Sequence, residues 1–335
     1  SVTTPVQDVP LGPRRTPVHA AIAALMACAD AAERHPDPLE PAPPSLGGGR
    51  PLFLKREDVH ELGAFKWRGA LPVITAYQES GADTVVTAST GNHGDATAWA
   101  AQRLGLRAVV FAPEGATQAK VALIKRLGAE IRLVGTDLEA ARDEGQRYAN
   151  EHGLAFFEDG AEMAQYEGYG AITDEILDQL DEPPSAVVVP VGGGALLGGI
   201  GLRVCARSAD TLRIGVAAKD APVMAESWEA GGIVESDRSA TFADGLAVRV
   251  AIPLAVDVLG EVASRMLLVT ERDMARAVGA YAEAGIRAEG AAGAALAALP
   301  QLADVDGAIV LIVTGRNIDD ELHRRACEDP GSFPA

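Results

Sequence analysis

The sequence predicts an α/β fold with two doubly wound parallel-sheet domains, because two series of alternating strand and helix patterns follow one another along the chain. The first series covers residues 83–152, and the second begins at residue 185. Strands that alternate with helices form βαβ units and therefore parallel sheets. Apolar residues make up 48% of the chain and aromatic residues 4%, which indicates a core of Ala, Val, Leu and Ile. A chain of 335 residues is long enough for about two domains.

In the first series, short β-branched runs alternate with amphipathic helical segments. The strand patterns are "DTVVTAS" (83–89), "RAVVFAP" (107–113) and "AEIRLVG" (129–135). The helical patterns are "NHGDATAWAAQRLG" (92–105), "TQAKVALIKRLG" (117–128) and residues 137–152. Before this series, residues 34–50 are rich in Pro and Gly, which predicts an exposed loop.

The second series repeats this arrangement. "SAVVVPV" (185–191) is followed by a glycine-rich turn and the helical "LLGGIGLRVCARSA" (196–209). The strands "LRIGVAA" (212–218) and "GAIVLIVTG" (307–315) complete it. Doubly wound sheets bind ligands at the carboxyl ends of their strands, so we expect a ligand between the two units.

Composition excludes several functional classes. A formal net charge of −18 argues against binding nucleic acid or anionic membranes, which needs clustered Lys and Arg. The three cysteines are Cys28, Cys205 and Cys327, too few and too dispersed for a disulfide framework or a metal cluster. The first ten residues lack the pattern of an export signal. We therefore expect a cytoplasmic protein that binds neither nucleic acid nor membrane.

The stretch "VVVPVGGGALLGG" (187–199) joins a strand to a helix through Gly192, Gly193 and Gly194. Glycines allow a sharp turn, and the N–H groups of a helix N-terminus bind anions. The stretch lacks the lysine of a nucleoside triphosphate loop, and Leu197 stands where a dinucleotide fingerprint needs glycine. It predicts a site for a single phosphate monoester; the alternative is a tight connection without a ligand.

The stretch "GAFKWRGA" (63–70) places Lys66 between Phe65 and Trp67. Aromatic neighbours desolvate the amine, and desolvation favours the neutral form that attacks carbonyl groups. A cofactor with both a phosphate and an aldehyde needs such an amine to hold it as a Schiff base. Lys66 and the glycines together predict pyridoxal 5'-phosphate; alone, Lys66 reads more simply as an exposed lysine at a helix start.

Two further strand ends carry polar side chains. In "ASTGNHGDATAWAA" (88–101), Ser89 and Thr90 precede a helix that begins near Asn92, which predicts a turn able to bind a substrate carboxylate. In "IVTGRNID" (312–319), a buried strand opens on Thr314. The alternatives are a helix cap without a ligand and an ordinary turn.

In this order the motifs resemble those of the fold type II pyridoxal phosphate enzymes, specifically the serine/threonine dehydratases and serine racemases. The likeness covers nearly the whole chain, in "RRTPV" at Arg14, "FLKREDVHELGAFKWRGA", "ASTGNHGDA", "VPVGGGALLGG", "TFADGLAVR", "AEGAAGAAL" and "VTGRNID". The resemblance implies a tryptophan synthase β-subunit-like fold with the cofactor between two domains. Residues 1–75 and 161–335 are the expected large cofactor-binding domain, and residues 76–160 the expected small substrate-closing domain.

The resemblance also implies roles at the cofactor. Lys66 is the expected Schiff-base lysine and catalytic base, and Phe65 lies against the cofactor ring. Asn92 is expected to bind the ring oxygen, and the hydroxyl of Thr314 to face the pyridine nitrogen. A hydroxyl there leaves the ring largely unprotonated and favours elimination. The remaining expected contacts are the backbone at Gly245 and the glycine loop, here defined as Gly192, Gly193, Gly194, Ala195 and Leu196.

Substrate contacts follow from the same resemblance. Ser89, Asn92 and His93 are expected in the loop that grips the substrate carboxylate. Tyr169 lies in a segment that approaches the substrate. Thr90 stands where serine racemases carry a serine that serves the second face of the substrate, so it is a candidate catalytic residue for racemisation; the alternative is a helix cap.

Several residues depart from the family pattern: Ala64 replaces Ser, Asp95 replaces Gln, Ala195 replaces Gly, Tyr169 replaces Gln and Ala171 replaces Thr. If Ala64, Asp95 and Tyr169 line one pocket, the site disfavours a second carboxylate and favours a larger neutral or aromatic β-substituent. Lys219 stands where racemase-like members begin a divalent cation site with glutamate, so we expect no metal.

The sequence therefore predicts an ammonia-lyase, or dehydratase, that converts a β-hydroxy-α-amino acid into a 2-oxo acid and ammonia. Its expected partners are this small-molecule substrate and a second copy of the chain in a homodimer. The alternatives are an amino acid racemase, another pyridoxal phosphate enzyme of β-elimination or replacement, and a catalytically silent cofactor-binding protein.

Overall fold

The computed structural model describes residues 36–335. In this part of the chain, helices flank two parallel sheets, which confirms the predicted α/β class. The motif at Arg14, Cys28 and the first 35 residues of the expected large domain lie outside the described residues. No helix among residues 36–335 combines the length and apolar character needed to cross a membrane.

The larger sheet has six strands in the order β1-β2-β10-β7-β8-β9. All neighbours are parallel except β1 and β2. Its strands are β1 (Leu39–Pro41), β2 (Leu52–Arg56), β7 (Ala186–Pro190), β8 (Leu212–Ala218), β9 (Arg265–Val269) and β10 (Ile309–Val313). The central strands β7 and β10 are buried along their whole length, as expected for a parallel sheet covered on both faces.

The smaller sheet has four parallel strands in the order β5-β4-β3-β6. They are β3 (Thr84–Ala88), β4 (Arg107–Ala112), β5 (Glu130–Leu133) and β6 (Ala155–Phe156). The four strands of the smaller sheet are therefore consecutive in the chain. Two strands of the larger sheet precede them, and four follow them.

Twelve helices lie in the described part of the chain. They are α1 (Pro44–Gly47), α2 (Trp67–Glu79), α3 (Asn92–Leu104), α4 (Gln118–Arg126), α5 (Leu138–His152), α6 (Met163–Gln179), α7 (Ala195–Arg207), α8 (Val223–Ala230), α9 (Pro253–Val262), α10 (Glu271–Glu283), α11 (Gly290–Ala297) and α12 (Asp320–Glu328). Short 3-10 turns occur at Glu57–Val59, Asp244–Leu246, Leu299–Leu302 and Pro330–Ser332.

The prediction of an exposed loop over residues 34–50 is wrong for its described part. Leu39–Pro41 forms β1, and Pro44–Gly47 forms α1. Proline lacks the N–H that a central strand must donate, so it is confined to edge strands. β1 is such an edge strand. The Pro-rich composition therefore concealed a real strand.

The two faces of the larger sheet carry two separate cores, and β10 shows how the chain builds both. Ile309, Leu311 and Val313 pack into the cluster on one face, while Val310 and Ile312 pack into the cluster on the other. Side chains alternate across a strand, so a continuous apolar run fills both layers at once.

Candidate active site

A cavity that is partly open to solvent lies where strands of both sheets end. Pro190 ends β7, Thr314 follows β10, and Asn92 begins the helix after β3. The cavity is lined by Phe65, Lys66, Asn92, Asp159, Tyr169, Pro190, Gly192, Gly193, Gly194, Ala195, Leu196, Gly245, Leu246, Glu289, Ala291 and Thr314. Its position matches the expected location of the ligand at the carboxyl ends of strands.

The glycine loop forms one wall of this cavity. Gly194 has φ +93°, a conformation that favours glycine, and it precedes the first residue of α7. A Cβ atom on Gly192 would come within 2.1 Å of the carbonyl oxygen of Gly245, so only glycine allows this approach. The first N–H groups of α7 have no partner within the helix and are available to an anion.

Lys66 lies directly before α2, and its side chain is 19% exposed. Its Nζ donates a hydrogen bond to Asp159 Oδ2 at 2.5 Å. Phe65 lines the cavity beside it, but Trp67 turns away and stacks on His60 at 4.8 Å between ring centroids. The expectation that two aromatic side chains enclose the amine is therefore wrong: helix α2 begins at Trp67, and the helical turn carries its ring away from Lys66.

Arg68, two residues after Lys66, lies in a network of buried charged side chains. Arg68 is 1% exposed, and it donates hydrogen bonds to Glu57 at 2.5 Å, Asp37 at 2.9 Å and Glu175 at 2.7 Å. Lys55 also contacts Glu175, at 2.5 Å. These contacts join the start of α2 to β2, to the turn after it and to α6, and so fix the backbone that carries Lys66.

Asp159 is a cavity residue that the sequence analysis missed. Its Oδ1 accepts a hydrogen bond from Gln165 Nε2 at 2.6 Å, while Oδ2 pairs with Lys66. Desolvation raises the pKa of Asp159, but the charge of Lys66 and these hydrogen bonds outweigh it and hold the pKa well below its usual range. Asp159 follows β6, and this two-residue strand is too short to show a strand pattern in the sequence.

Glu289 is a second missed residue, although the motif "AEGAAGAAL" contains it. Its carboxylate accepts a hydrogen bond from Thr314 Oγ1 at 2.8 Å and another from Asn92 Nδ2 at 3.1 Å. Burial raises the pKa of Glu289, and the two hydrogen bonds partly oppose this shift. Asn92 Oδ1 accepts a hydrogen bond from Asn317 Nδ2 at 2.8 Å. Since the amide has two N–H groups and one of them donates to Glu289, the second is available to a ligand.

Three of the predicted substrate residues lie outside the cavity wall formed by the described residues. Ser89 Oγ accepts hydrogen bonds from the N–H groups of Gly91 and Gly94 at 3.1 and 3.0 Å, as a helix cap does. Thr90 is exposed. His93 is buried, and its Nε2 lies 3.0 Å from Thr87 Oγ1; burial lowers the pKa of His93.

Of the three departures expected to shape the pocket, Tyr169 lines the described cavity, whereas Ala64 and Asp95 do not. The Tyr169 ring meets Phe65 edge-on at 5.1 Å, and Gly69 leaves room for it, because a Cβ there would come within 2.7 Å of the ring. Asp95 is buried in the first turn of α3, away from the described lining of the cavity. Burial raises the pKa of Asp95, and Lys120 opposes this shift. In this part of the chain, the acids that face the cavity are Asp159 and Glu289.

The family model for pyridoxal-phosphate dependent enzymes matches residues 33–315. The chain belongs to this family. The predicted family and its cofactor are therefore confirmed. The residues present also fit that cofactor, because one cavity contains a lysine amine and a glycine loop at a helix N-terminus.

Individual relatives agree with this assignment. The chain is 34% identical to an L-threonine ammonia-lyase of Geobacter sulfurreducens over 278 residues, which are 81% of this chain and 68% of that protein. The processed form of threonine deaminase isoform 2 from Solanum lycopersicum matches with a TM-score of 0.85 and 27% identity, covering 94% of each chain. Maize serine racemase matches with a TM-score of 0.83 and 27% identity, covering 92% of this chain and 95% of that one.

Proposed function

We propose that the protein is a pyridoxal phosphate-dependent ammonia-lyase that converts a threonine- or serine-like β-hydroxy-α-amino acid into a 2-oxo acid and ammonia. The observation that carries this proposal is the presence of Lys66 and the glycine loop in one cavity. The relationship to L-threonine ammonia-lyases supports it for the reaction and for the class of substrate.

The proposed cofactor contacts come from both sheets. The glycine loop binds the phosphate through its backbone N–H groups, and Gly245 lies beside it. Phe65 would pack on the ring, and the free N–H of Asn92 would bind the ring oxygen. The Thr314 hydroxyl donates its one proton to Glu289 and would have to turn it from there to the ring nitrogen. When bound, the cofactor supplies an electron sink for negative charge at the substrate α-carbon.

Lys66 has the central chemical role in this proposal. Its Nζ would hold the cofactor through the aldehyde, and its free amine would take the substrate α-proton as a general base. The β-hydroxyl leaves as water once it is protonated. The released enamine then reacts with water to give the 2-oxo acid and ammonia.

We propose that residues 76–160 close over the substrate as a small domain and that residues 1–75 and 161–335 form the large domain. The smaller sheet lies within residues 76–160, and its β3 leads into Ser89, Thr90, Asn92 and His93. In this proposal, the N–H groups at the start of α3 bind the substrate carboxylate, and Ser89 and His93 hold that turn in shape. Closure excludes water from the reacting atoms.

We further infer a cytoplasmic homodimer. Cys205 and Cys327 are free thiols, in keeping with a reducing compartment. Racemisation stays an alternative, but Thr90 is exposed rather than part of the described cavity wall, so it has no role in our proposal. The absence of a metal site likewise stays a prediction.

The acids in the cavity predict how the enzyme ranks its substrates. A second carboxylate, as in hydroxyaspartate, meets Asp159, whereas a larger neutral side chain gains contact with Tyr169. We expect the specificity constants for threonine and phenylserine to exceed those for serine, with hydroxyaspartate lowest. One pocket contact typically changes specificity by about 10- to 200-fold. The measurement is 2-oxo acid formation from the four amino acids under the same conditions.

Two variants separate the ring of Tyr169 from its hydroxyl. Tyr169→Phe keeps the ring and should keep the order of substrates, whereas Tyr169→Leu should lose the advantage of phenylserine over serine. If the unmodified protein prefers serine or hydroxyaspartate over the bulkier neutral substrates, the proposed pocket is wrong.

A further inference from the structure

The contact between Lys66 and Asp159 is the closest pairing of charged groups in the cavity wall among the described residues. Lys66 Nζ and Asp159 Oδ2 are in direct hydrogen-bond contact, and a bond between an ammonium and a carboxylate is charge-assisted. Both side chains are partly exposed to the cavity, 19% for Lys66 and 36% for Asp159. A carboxylate therefore lies against the amine that the proposed reaction uses as its base.

The orientation of Asp159 is fixed by its neighbours. Gln165 Nε2 donates to Asp159 Oδ1 at 2.6 Å and also lies 3.0 Å from the hydroxyl of Tyr169. The side chain of Gln165 is in turn held by the N–H of Gly160, which donates to its Oε1 at 2.7 Å. The carboxylate is thus held between the start of α6 and Lys66, with one oxygen for each.

We propose that Asp159 is a positioning residue for Lys66, which holds the amine at the substrate α-carbon and stabilises the ammonium that forms when Lys66 removes the α-proton. This inference rests on the proposed function and deepens it. Resemblance to the dehydratase family did not suggest the residue; the structure brings it to the lysine.

Removal of the α-proton and loss of the β-hydroxyl need no further reactant. Lys66 starts the step as a neutral amine; the α-C–H bond breaks, an N–H bond forms at Nζ, and the electron pair stays with the carbon. Asp159 remains ionised and faces the new positive charge. The ammonium then gives its proton to the β-hydroxyl, the C–O bond breaks with the carbon's electron pair forming the new double bond, and water leaves.

Other titratable groups surround this pair. His93 Nδ1 lies 3.9 Å from Asp159 Oδ1, and burial lowers the pKa of His93, so it is neutral at neutral pH. Burial raises the pKa values of Tyr166 and Tyr169, which also stay neutral. Glu289 binds Thr314 and Asn92 instead of Lys66. The ionised group hydrogen-bonded to Lys66 is therefore Asp159.

Asp159→Asn keeps the shape of the side chain and removes its charge. We expect kcat to fall by about 10- to 150-fold with KM little changed, the range for a hydrogen bond between charged groups. Because proton removal becomes slower, the kinetic isotope effect on kcat with α-deuterated substrate should rise. Glu158→Gln is the matched control, since Glu158 is the adjacent carboxylate and pairs with Arg142 at 2.6 Å. This control should leave both readouts unchanged.

A second readout does not depend on turnover. The whole chain, stripped of cofactor, is treated with acetic anhydride at pH 8, and acetylation of Lys66 is followed by peptide mass spectrometry. Asp159 Oδ2 accepts the hydrogen bond of Lys66 Nζ and so holds the amine away from the reagent. Replacing this charged acceptor with an amide weakens the bond, so Asp159→Asn should react about tenfold faster or more. Asp159→Glu keeps a carboxylate at this position, so its Lys66 should react near the unmodified rate. If the faster reaction of Asp159→Asn came only from lost packing, Asp159→Glu should also react faster.

The inference is overturned if folded Asp159→Asn protein acetylates Lys66 at the unmodified rate, or if its kcat and isotope effect equal those of Glu158→Gln. If Asp159→Asn fails to fold, Asp159→Glu decides the question. Because this variant keeps the charge, acetylation of Lys66 at the slow unmodified rate supports the pairing, and faster acetylation contradicts it. A protein without lyase activity would refute the proposed function, while the acetylation rates would still report on the pairing.

Discussion

Lys66→Ala should lower the rate of 2-oxo acid formation by at least about a thousandfold, because one side chain is both the cofactor's attachment point and the base for the α-proton. Neither task passes to another amine in the described cavity wall, where Lys66 is the one lysine. The measurement is ammonia release with the cofactor in excess, together with the absorbance band of the lysine-bound cofactor. Both signals should disappear.

Lys125→Ala is the control for this substitution, since Lys125 is an exposed lysine in the last turn of α4. It should keep full activity and the absorbance band. Persistence of either signal in Lys66→Ala would show that a different lysine holds the cofactor.

Arg68→Met should lower the free energy of unfolding by about 3–5 kcal/mol, the usual effect of removing one partner from a buried ion network. The substitution removes the guanidinium that the carboxylates of Glu57, Asp37 and Glu175 share, and Lys55 keeps its contact with Glu175. The measurement is the midpoint of urea unfolding, followed by circular dichroism and compared at equal slope.

Arg147→Met is the matched surface substitution, because Arg147 pairs with Glu144 and Glu151 on the exposed side of α5. Exposed pairs contribute little, so this control should change stability by less than about 1 kcal/mol. Equal midpoints for the two variants would mean that the network around Arg68 does not stabilise the start of α2.

Much of the fold was predictable because its signal is local. The strands β7, β8 and β10 are continuous apolar runs bounded by Gly, Pro or polar residues, and the glycine-rich turn after β7 marks the start of α7. The strands β2 and β9 were not predicted either. β1 was missed because proline is a poor strand former, and β6 because two residues show no periodicity. In both cases pairing with a neighbouring strand stabilises the strand, and a single sequence does not show such pairing.

The site residues also divide into those with a local sequence signal and those that only distant contacts bring to the cavity. Lys66 lies directly before a helix, and the glycine loop and Thr314 each follow a strand; the structure brings them into one cavity. Asp159 lies 93 residues from Lys66, and Glu289 lies 25 residues from Thr314 and 197 residues from Asn92. An isolated acid in a sequence is usually a solvated one. The pocket acid was expected at Asp95, but the helical turn at the start of α3 directs that side chain elsewhere.

The release of ammonia and 2-oxo acid by the purified, cofactor-loaded protein tests the central claim most directly. With threonine as substrate, both products should appear at the same rate and in equal amounts while threonine disappears. Threonine that is recovered unchanged, or with inverted configuration and without ammonia, would contradict the assignment of the cavity to a β-eliminating ammonia-lyase.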